Sequence, residues 1–175
     1  MIDLVHYRRM NHVQRLAGTP KLRSYTLAEH CFHTGIAFAR FAKIEKIEYD
    51  INVLEAVLSH DILEVFTGDL IYTAKNLNES TKACWSAIED QVANAVEGLD
   101  DYTDSSIEAV MTEQQHTLFK ACDLFELHAF LQEEFKMGNR DPNVMRIIST
   151  CSKLLIDPRS DLYFKSIHKE IQNYG

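Results

Sequence analysis

Chain-breaking residues are scarce in this sequence. Its 175 residues include only 6 glycines and 3 prolines, fewer than average usage supplies. Few breakers favour long helices over a turn-rich β fold. No internal repeat and no strand-like alternation of useful length is present. We therefore expect an all-α fold, a bundle of about six to eight helices in a single domain over residues 1–175.

The patterns of secreted, zinc-finger and membrane proteins are missing as well. The four cysteines are far apart and none belongs to a CxxC pair, which disfavours a disulfide framework and a zinc finger. No apolar run reaches the roughly 18 residues of a membrane-spanning helix, and the N-terminus lacks the apolar segment of a signal peptide. We expect buried free thiols, no membrane partner and a cytoplasmic location.

A surplus of basic charge is also lacking. The formal net charge is −8, which argues against a general nucleic-acid partner because phosphate neutralisation needs excess Lys and Arg. Residues 1–23 are an exception, with five basic side chains against one acidic. A basic segment on an acidic protein suits a small anionic ligand better than a polymer. A solvated basic helix end explains the same charges equally well.

Apolar periodicity and capping residues outline the helices. Thr26 and Glu29 have the spacing of a capping box, which predicts a helix over 27–44. Asn52 is a candidate N-cap for a helix over 53–66. Further helices are predicted over 3–15, 79–99, 106–137 (as one or two helices), 143–156 and 162–174.

The adjacent pair His60-Asp61 is the first candidate for chemistry. Histidine supplies a neutral nitrogen and aspartate a charged oxygen, and such mixed ligands suit Mn, Fe, Co, Ni or Zn. Taken alone, a His-Asp pair is more often an ordinary surface pair. His30, just inside a capped helix, and Asp123, in an apolar helix, strengthen the metal hypothesis.

Asp123 needs a partner because a buried carboxylate without a counter-charge is costly. A metal ion would supply it. Pairing with Lys120 or His116 on the same predicted helix is the alternative, and the sequence does not decide between the two.

The order of these residues resembles a known family. The runs EHCFHTG, LSHDILEVFTGDLIYTAK and KACD resemble the EHS, HDxxExxTGDxPTpxK and KxxD motifs of the YfbR-like 5′-deoxynucleotidases, which are HD-domain phosphohydrolases. The resemblance extends from about Arg15 to Asp123. It implies an HD-domain fold and an enzyme with one divalent transition metal (Co, Mn, Zn or Fe), with or without additional Mg²⁺ on the substrate phosphates.

The resemblance also implies roles for particular residues. The implied metal ligands are His30, His60, Asp61 and Asp123. Glu64 matches the acidic residue that positions or activates the attacking water, and Asp69 matches one that holds substrate or assists proton transfer. Glu64 would also lie one helical turn beyond His60, within reach of a metal-bound water.

Substrate contacts are implied less specifically. Arg15 falls where the family places a phosphate-contacting arginine, and Lys75 matches the lysine that closes the TGD loop. Leu16 stands where the family usually has Trp. His33, one turn after His30, either faces the phosphate or is an ordinary surface histidine.

The resemblance implies a 2′-deoxynucleotide substrate cleaved at the 5′ ester. A monophosphate would give deoxynucleoside and phosphate. A triphosphate such as dATP would give deoxynucleoside and triphosphate, as in the compact phage HD-domain dATP triphosphohydrolases that the chain also resembles. Leu16 and the altered segment 71–73 depart from the family where base and sugar selectivity are set. The basic N-terminal segment favours the triphosphate, with candidate contacts from Arg8, Arg9, His12 and Lys21.

Two hypotheses other than an enzyme remain open. A catalytically silent HD-fold nucleotide-binding module would be expected to have lost one or more of the ligands, Glu64 or Asp69, and this chain keeps them all. A purely structural bundle leaves the buried His and Asp unexplained. We also expect a homo-oligomer, with apolar surface near Trp85 or Phe164 as a candidate contact, in the cytoplasm of a cell or of a phage-infected host.

Overall fold

The computed structural model describes residues 3–69 and 77–174, which form helices joined by loops. Six of these helices have nine residues or more, and three are shorter. In chain order they are α1 (Leu4–Arg9), α2 (Leu27–Glu45), α3 (Ile51–Ser59), α4 (Glu64–Thr67), α5 (Glu79–Ala95), α6 (Asp104–Ala109), α7 (Glu113–Lys136), α8 (Pro142–Ile156) and α9 (Lys165–Tyr174). The described ranges contain no β-strand, only a single bridge between Gln14 and Thr26. The predicted all-α class is confirmed.

Helix α2 begins at the predicted capping box. The Thr26 hydroxyl accepts a hydrogen bond from the Glu29 N–H at 3.2 Å, and the Glu29 carboxylate accepts one from the Thr26 N–H at 2.8 Å. This reciprocal pair satisfies two of the helix's free N–H groups and fixes where its first turn starts. His30 therefore lies in the first turns of α2, fully buried.

Helix α3 has a different cap from the predicted one. The Asp50 carboxylate accepts hydrogen bonds from the Asn52 N–H at 2.9 Å and the Val53 N–H at 3.1 Å, so the helix begins at Ile51. The prediction of Asn52 as the cap was wrong, because a carboxylate two residues earlier satisfies the same donors.

The predicted helix over 53–66 is divided at the His-Asp pair. Helix α3 ends at Ser59, residues 60–63 form a turn, and α4 follows. Backbone bonds here join residues three apart, such as the Glu64 N–H to the Asp61 carbonyl at 3.0 Å, the tighter pattern typical of helix ends. Ile62 and Leu63 stay buried through the turn, so apolar periodicity continues where the helix does not.

Other boundaries shift in smaller ways. Helix α1 ends at Arg9 and continues as a short 3₁₀ turn to His12, shorter than the predicted 3–15. The segment 106–137 consists of two helices, α6 and α7, which was one of the two options left open. Among the residues that the structure describes, no helix combines the length and apolar character that crossing a membrane requires.

Helices α2 and α7 form the centre of the fold, with α3 packed on α2 and α8 on α7. The largest buried cluster lies between them and includes Phe38, Phe41, Val57, Leu118 and Phe119. This packing brings together the three segments that carry the motif residues: the start of α2, the turn after α3 and the middle of α7.

Candidate metal centre

Three of the four predicted ligands, His30, His60 and Asp61, lie close enough together to hold a metal ion, and Asp123 adjoins the two histidines. The Nε2 atoms of His30 and His60 are 3.1 Å apart, and Asp123 Oδ1 lies 3.0 Å from the first and 3.9 Å from the second. Asp61 Oδ2 lies 3.6 Å from His30 Nε2 and 3.4 Å from His60 Nε2. We call these four residues the ligand cluster.

These distances fit a bound transition-metal ion. Metal bonds to His nitrogen and Asp oxygen are about 2.0–2.2 Å long, so two ligands of one ion lie roughly 3.0–4.3 Å apart. All five distances, from 3.0 to 3.9 Å, fall in this range. Two imidazoles with two carboxylates are a donor set that suits Zn, Mn, Fe or Co.

Hydrogen bonds at the far side of each imidazole orient both histidines. His60 Nδ1 lies 2.8 Å from the Val57 carbonyl, and His30 Nδ1 contacts the Glu126 carboxylate. Both acceptors lack a proton to donate, so each Nδ1 carries the N–H. A neutral ring then has its lone pair on Nε2, directed into the ligand cluster.

Electrostatics keep the two aspartates ionised. Burial alone would raise the pKa of Asp61, but His60 and the Arg15 guanidinium outweigh burial and hold that pKa below its ordinary value. For Asp123, burial is outweighed by the hydrogen bond and charge of His30 and by the charge of His60, each taken in its protonated form rather than the neutral form that binds a metal, so the pKa of Asp123 is lowered as well. Both groups are therefore carboxylates at neutral pH, the form that binds metal.

The alternative partners for Asp123 are engaged elsewhere. Lys120 places its ammonium 5.1 Å from the Phe119 ring centroid, and His116 Nε2 lies 3.5 Å from a Glu108 oxygen. Asp123 contacts the two histidines of the ligand cluster instead, which favours the metal hypothesis over a local ion pair.

Glu64 and Asp69 are connected to the ligand cluster through Arg15 and the loop that follows it. Glu64 is half-buried at the start of α4 and interacts electrostatically with Arg15, although a turn separates it from His60 where the sequence predicted one regular helix. An Asp69 oxygen lies 3.4 Å from the Ala17 N–H, which connects the TGD segment to the loop after Arg15.

The predicted substrate contacts have different positions. The Arg15 guanidinium pairs directly with Asp61 at the cluster. Leu16 packs against the buried hydrophobic cluster that contains Tyr25. Its backbone φ of 56° is a left-handed conformation that is uncommon for a residue with a side chain. His33 is exposed and lines a cavity of about 500 Å³ that none of the four ligands lines, as expected for a surface histidine. Lys75 lies outside the described residues, as does the segment 71–73.

Three residues at the site were not singled out as such from the sequence. Glu126 and Tyr25 contact the rear of His30, with the Tyr25 hydroxyl 3.1 Å from Nδ1. Lys21 donates a hydrogen bond to the Arg15 carbonyl; it had been considered only as one of several basic residues. Glu126 comes one turn after Asp123 in an apolar helix, so the argument made for a buried Asp123 applied equally to it.

Solved structures with the same arrangement of helices include HD-domain phosphohydrolases. The cyanophage S-2L HD phosphohydrolase DatZ, bound to dA and one catalytic Zn²⁺ ion, matches with a TM-score of 0.68 at 18% identity, over 99% of this chain and 95% of that one. An HD-domain phosphohydrolase from Listeria innocua matches with a TM-score of 0.64 at 15% identity, over 85% and 74%. A protein from Pyrococcus horikoshii gives 0.69 at 14% identity, over 97% and 94%. At these identities the likeness shows the HD-domain fold.

The family follows from the sequence itself. The profile of the YfbR-like 5′-deoxynucleotidases matches residues 4–156, most of the chain, and no curated protein gives a significant match. The chain belongs to the YfbR-like 5′-deoxynucleotidase family. It is a hydrolase of the HD-domain type, its helical fold is the one that the resemblance of the motifs implied, and His30, His60 and Asp61 form a candidate metal site.

Proposed function

We propose that this protein is a metal-dependent phosphohydrolase that cleaves 2′-deoxynucleotides at the 5′ ester, with a deoxynucleoside triphosphate such as dATP as substrate. The observation that carries the metal chemistry is the convergence of the His30, His60, Asp61 and Asp123 donor atoms at 3.0–3.9 Å. Family membership and the dA bound to DatZ support the deoxynucleotide.

The ligand cluster would hold one divalent ion, which supplies an activated water and polarises a phosphoryl oxygen. Glu64, beside the cluster, would accept a proton from the attacking water. Arg15 pairs with Asp61 and would turn its guanidinium toward the transferred phosphoryl group, where its charge stabilises the negative oxygens. Asp69 would hold the sugar or return a proton to the leaving oxygen.

A second cation beside Arg15 favours the triphosphate over the monophosphate. Burial lowers the pKa of Lys21, the charges of Asp69 and Glu134 raise it, and the charge of Arg15, the smallest of these influences, lowers it. Two adjacent cations repel, and an anion placed between them relieves that repulsion. A single phosphate on the metal has little need of Lys21, whereas a tail of three phosphates extends far enough to use it.

Product analysis tests the proposal. The protein would be incubated with Co²⁺, Mn²⁺, Zn²⁺ or Mg²⁺ separately, against dAMP, dATP, the other deoxynucleotides and ATP. Deoxyadenosine with inorganic triphosphate from dATP is the expected result. Deoxyadenosine and phosphate formed from dAMP only would contradict the proposal and indicate a 5′-deoxynucleotidase. No turnover with any metal would instead favour the catalytically silent nucleotide-binding module.

Lys21→Ala should affect binding of the triphosphate and the monophosphate differently. We expect the KM for dATP to rise about tenfold, the effect of losing one charge-assisted contact, and the KM for dAMP to change less than twofold. Lys43→Ala, at an exposed lysine near the end of α2, is the matched control and should alter neither. Equal effects on the KM of both substrates would show that Lys21 does not contact the triphosphate tail.

Self-association and location stay predictions. The described surface exposes large apolar side chains on α2, among them Phe32 at 56% and Ile36 at 55%, whereas Trp85 and Phe164 are only half-exposed. A light-scattering mass equal to that of the monomer would contradict the homo-oligomer. Fractionation of cells that make the protein would test the cytoplasmic location.

A further inference from the structure

A buried carboxylate lies behind the metal site, on the side of His30 that faces away from the other ligands. Glu126 on α7 is 7% exposed. Its described hydrogen bonds are with the Tyr25 hydroxyl and with His30 Nδ1. A buried carboxylate is costly unless something uses its charge, and neither the hydroxyl nor a neutral imidazole is a formal counter-ion.

The two histidines of the ligand cluster are held differently. His60 donates its Nδ1–H to a neutral main-chain carbonyl, that of Val57. His30 donates to a full negative charge, a stronger hydrogen bond than one to a neutral carbonyl, which makes it the more strongly oriented ligand. The asymmetry means that a side chain controls one ligand and the backbone controls the other.

Tyr25 fixes the Glu126 carboxylate in turn. Its ring stacks on Phe130 with centroids 3.8 Å apart, and it is almost completely buried. The hydroxyl donates to Glu126, and burial together with Glu126 holds the pKa of Tyr25 well above its ordinary value. In this contact the hydroxyl is the donor, since a carboxylate has no proton to give.

We infer that Glu126, held by Tyr25, is a positioning residue for the metal: its carboxylate fixes the tautomer and orientation of His30 so that Nε2 faces the ligand cluster. The inference rests on the proposed metal-dependent function. Glu126 touches neither substrate nor metal and acts only through His30. Removal of the carboxylate should weaken metal binding while the fold persists.

The surroundings of Glu126 make conservative variants practical. Glu126 and Tyr25 both contribute to the lining of the cavity of about 500 Å³ between α2 and α7, and Gln is close to Glu in size, so the fold should accommodate an amide at position 126. Glu126→Gln keeps the shape and one acceptor oxygen but loses the charge. Glu133→Gln is the matched control, since Glu133 lies two turns along the same helix, lines the same cavity and pairs with Arg23.

The first measurement is titration of the metal-free proteins with Co²⁺ alone. We expect affinity to fall about tenfold in Glu126→Gln and about a hundredfold in Glu126→Ala, the range found for partners of ligating histidines. Tyr25→Phe should lose less than Glu126→Gln, and Glu133→Gln should bind like the wild type. The unfolding temperature of each metal-free variant is measured alongside.

The second measurement observes each histidine separately. In the Co²⁺ protein each Nε2-bound imidazole carries an exchangeable Nδ1–H proton, visible as a paramagnetically shifted NMR signal. In Glu126→Gln we expect one signal to shift or exchange rapidly, while the His60 signal, on the Val57 carbonyl, stays in place. A purely structural Glu126 would move neither signal or both.

The outcomes separate the inference from the function on which it rests. A wild type that binds no Co²⁺ overturns the metal-dependent function. A wild type that binds Co²⁺, with Glu126→Gln binding equally well, overturns the inference and leaves the function intact. Loss of affinity together with a large fall in the metal-free unfolding temperature would also overturn it, because Glu126 would then support the fold rather than the ligand.

Discussion

Two buried carboxylates on α7, Glu126 and Glu134, hold different kinds of partner. Glu126 accepts hydrogen bonds from the side chains of His30 and Tyr25. Glu134, fully buried, accepts from the main-chain N–H groups of Leu22 at 2.7 Å and Arg23 at 3.2 Å. We call Glu134 and its neighbour Asn139 the loop anchor.

Asn139 completes the loop anchor. Its amide donates to Glu134 at 2.9 Å and to the Pro20 carbonyl at 2.9 Å. The segment 20–23, which carries Lys21, is therefore held to the end of α7 through its main chain. A carboxylate that satisfies backbone donors contributes stability, whereas one that orients a ligand contributes affinity for what the ligand binds. Mutations in the ligand cluster should lower metal binding and turnover, whereas mutations in the loop anchor should lower the free energy of unfolding.

Asp61→Asn gives the largest expected effect. The amide keeps the shape of the carboxylate but removes a charged donor, so the protein should lose its bound metal and at least about a thousandfold in turnover, more than the loss of an outer partner causes. Metal content after purification and phosphate release would measure both, and His60→Ala should behave alike. Full turnover in either variant would remove these residues from the ligand set.

Glu64→Gln should leave metal binding intact while it lowers the rate of catalysis. We expect the variant to bind Co²⁺ like the wild type and to lose about a hundredfold in kcat, the usual contribution of a general base. Steady-state kinetics and a Co²⁺ titration on the same preparation check this. A variant that fails to bind Co²⁺ would instead make Glu64 a fifth ligand.

Glu134→Ala tests the other side of the comparison. It leaves two main-chain N–H groups and the Asn139 amide without their acceptor, so the free energy of unfolding should fall by about 2 kcal/mol. Urea denaturation measures the loss, and the Co²⁺ affinity of the folded protein should stay within twofold. Glu133→Ala, at a half-exposed neighbour, is the control and should cost less than about 0.5 kcal/mol. Lost metal affinity in Glu134→Ala would show that the two regions are coupled.

The smallest effect concerns the thiols. Cys84 is exposed, whereas Cys31, Cys122 and Cys151 are buried, and burial raises the pKa of Cys151 to about 12. A thiol reagent should therefore modify one cysteine rapidly in the native protein and none rapidly in Cys84→Ser. Co²⁺ should slow the labelling of Cys31, whose sulfur is 3.7 Å from His60 Nδ1, by a few fold through stabilisation of the folded state. Fast labelling of a second thiol would contradict the packing.

Local patterns carried much of the prediction. The capping box at Thr26 and Glu29 involves residues three apart, and the helical class follows from the scarcity of breakers, so both were accessible to reasoning on the chain alone. The ligand cluster was accessible through the resemblance of its motifs, and the structure brings all four predicted ligands together. Their roles in binding and catalysis, like the single-domain organisation, remain predictions.

The parts that were missed depend on contacts between distant segments. Tyr25 meets Glu126 across 101 positions of the chain, and Leu22 meets Glu134 across 112, and no local periodicity encodes such pairs. The end of the helix at Ser59 was not predicted, because Ile62 and Leu63 keep the apolar spacing of a helix. The backbone hydrogen bonds there join residues three apart instead of four. A cap at Asp50 instead of Asn52 shows the same ambiguity on a smaller scale, since both residue types are good caps.

The carbonyl that holds His60 has a consequence for how this lineage can change. Every amino acid at position 57 supplies a main-chain carbonyl, so no point mutation there deletes the acceptor of His60 Nδ1. The acceptor of His30 is specified by a single codon, that of Glu126. Descendants of this sequence can therefore change the acceptor of His30 by one substitution at position 126, whereas substitutions at position 57 leave the acceptor of His60 in place. Variation among natural homologues in the strength of metal binding should concentrate at position 126 and spare position 57.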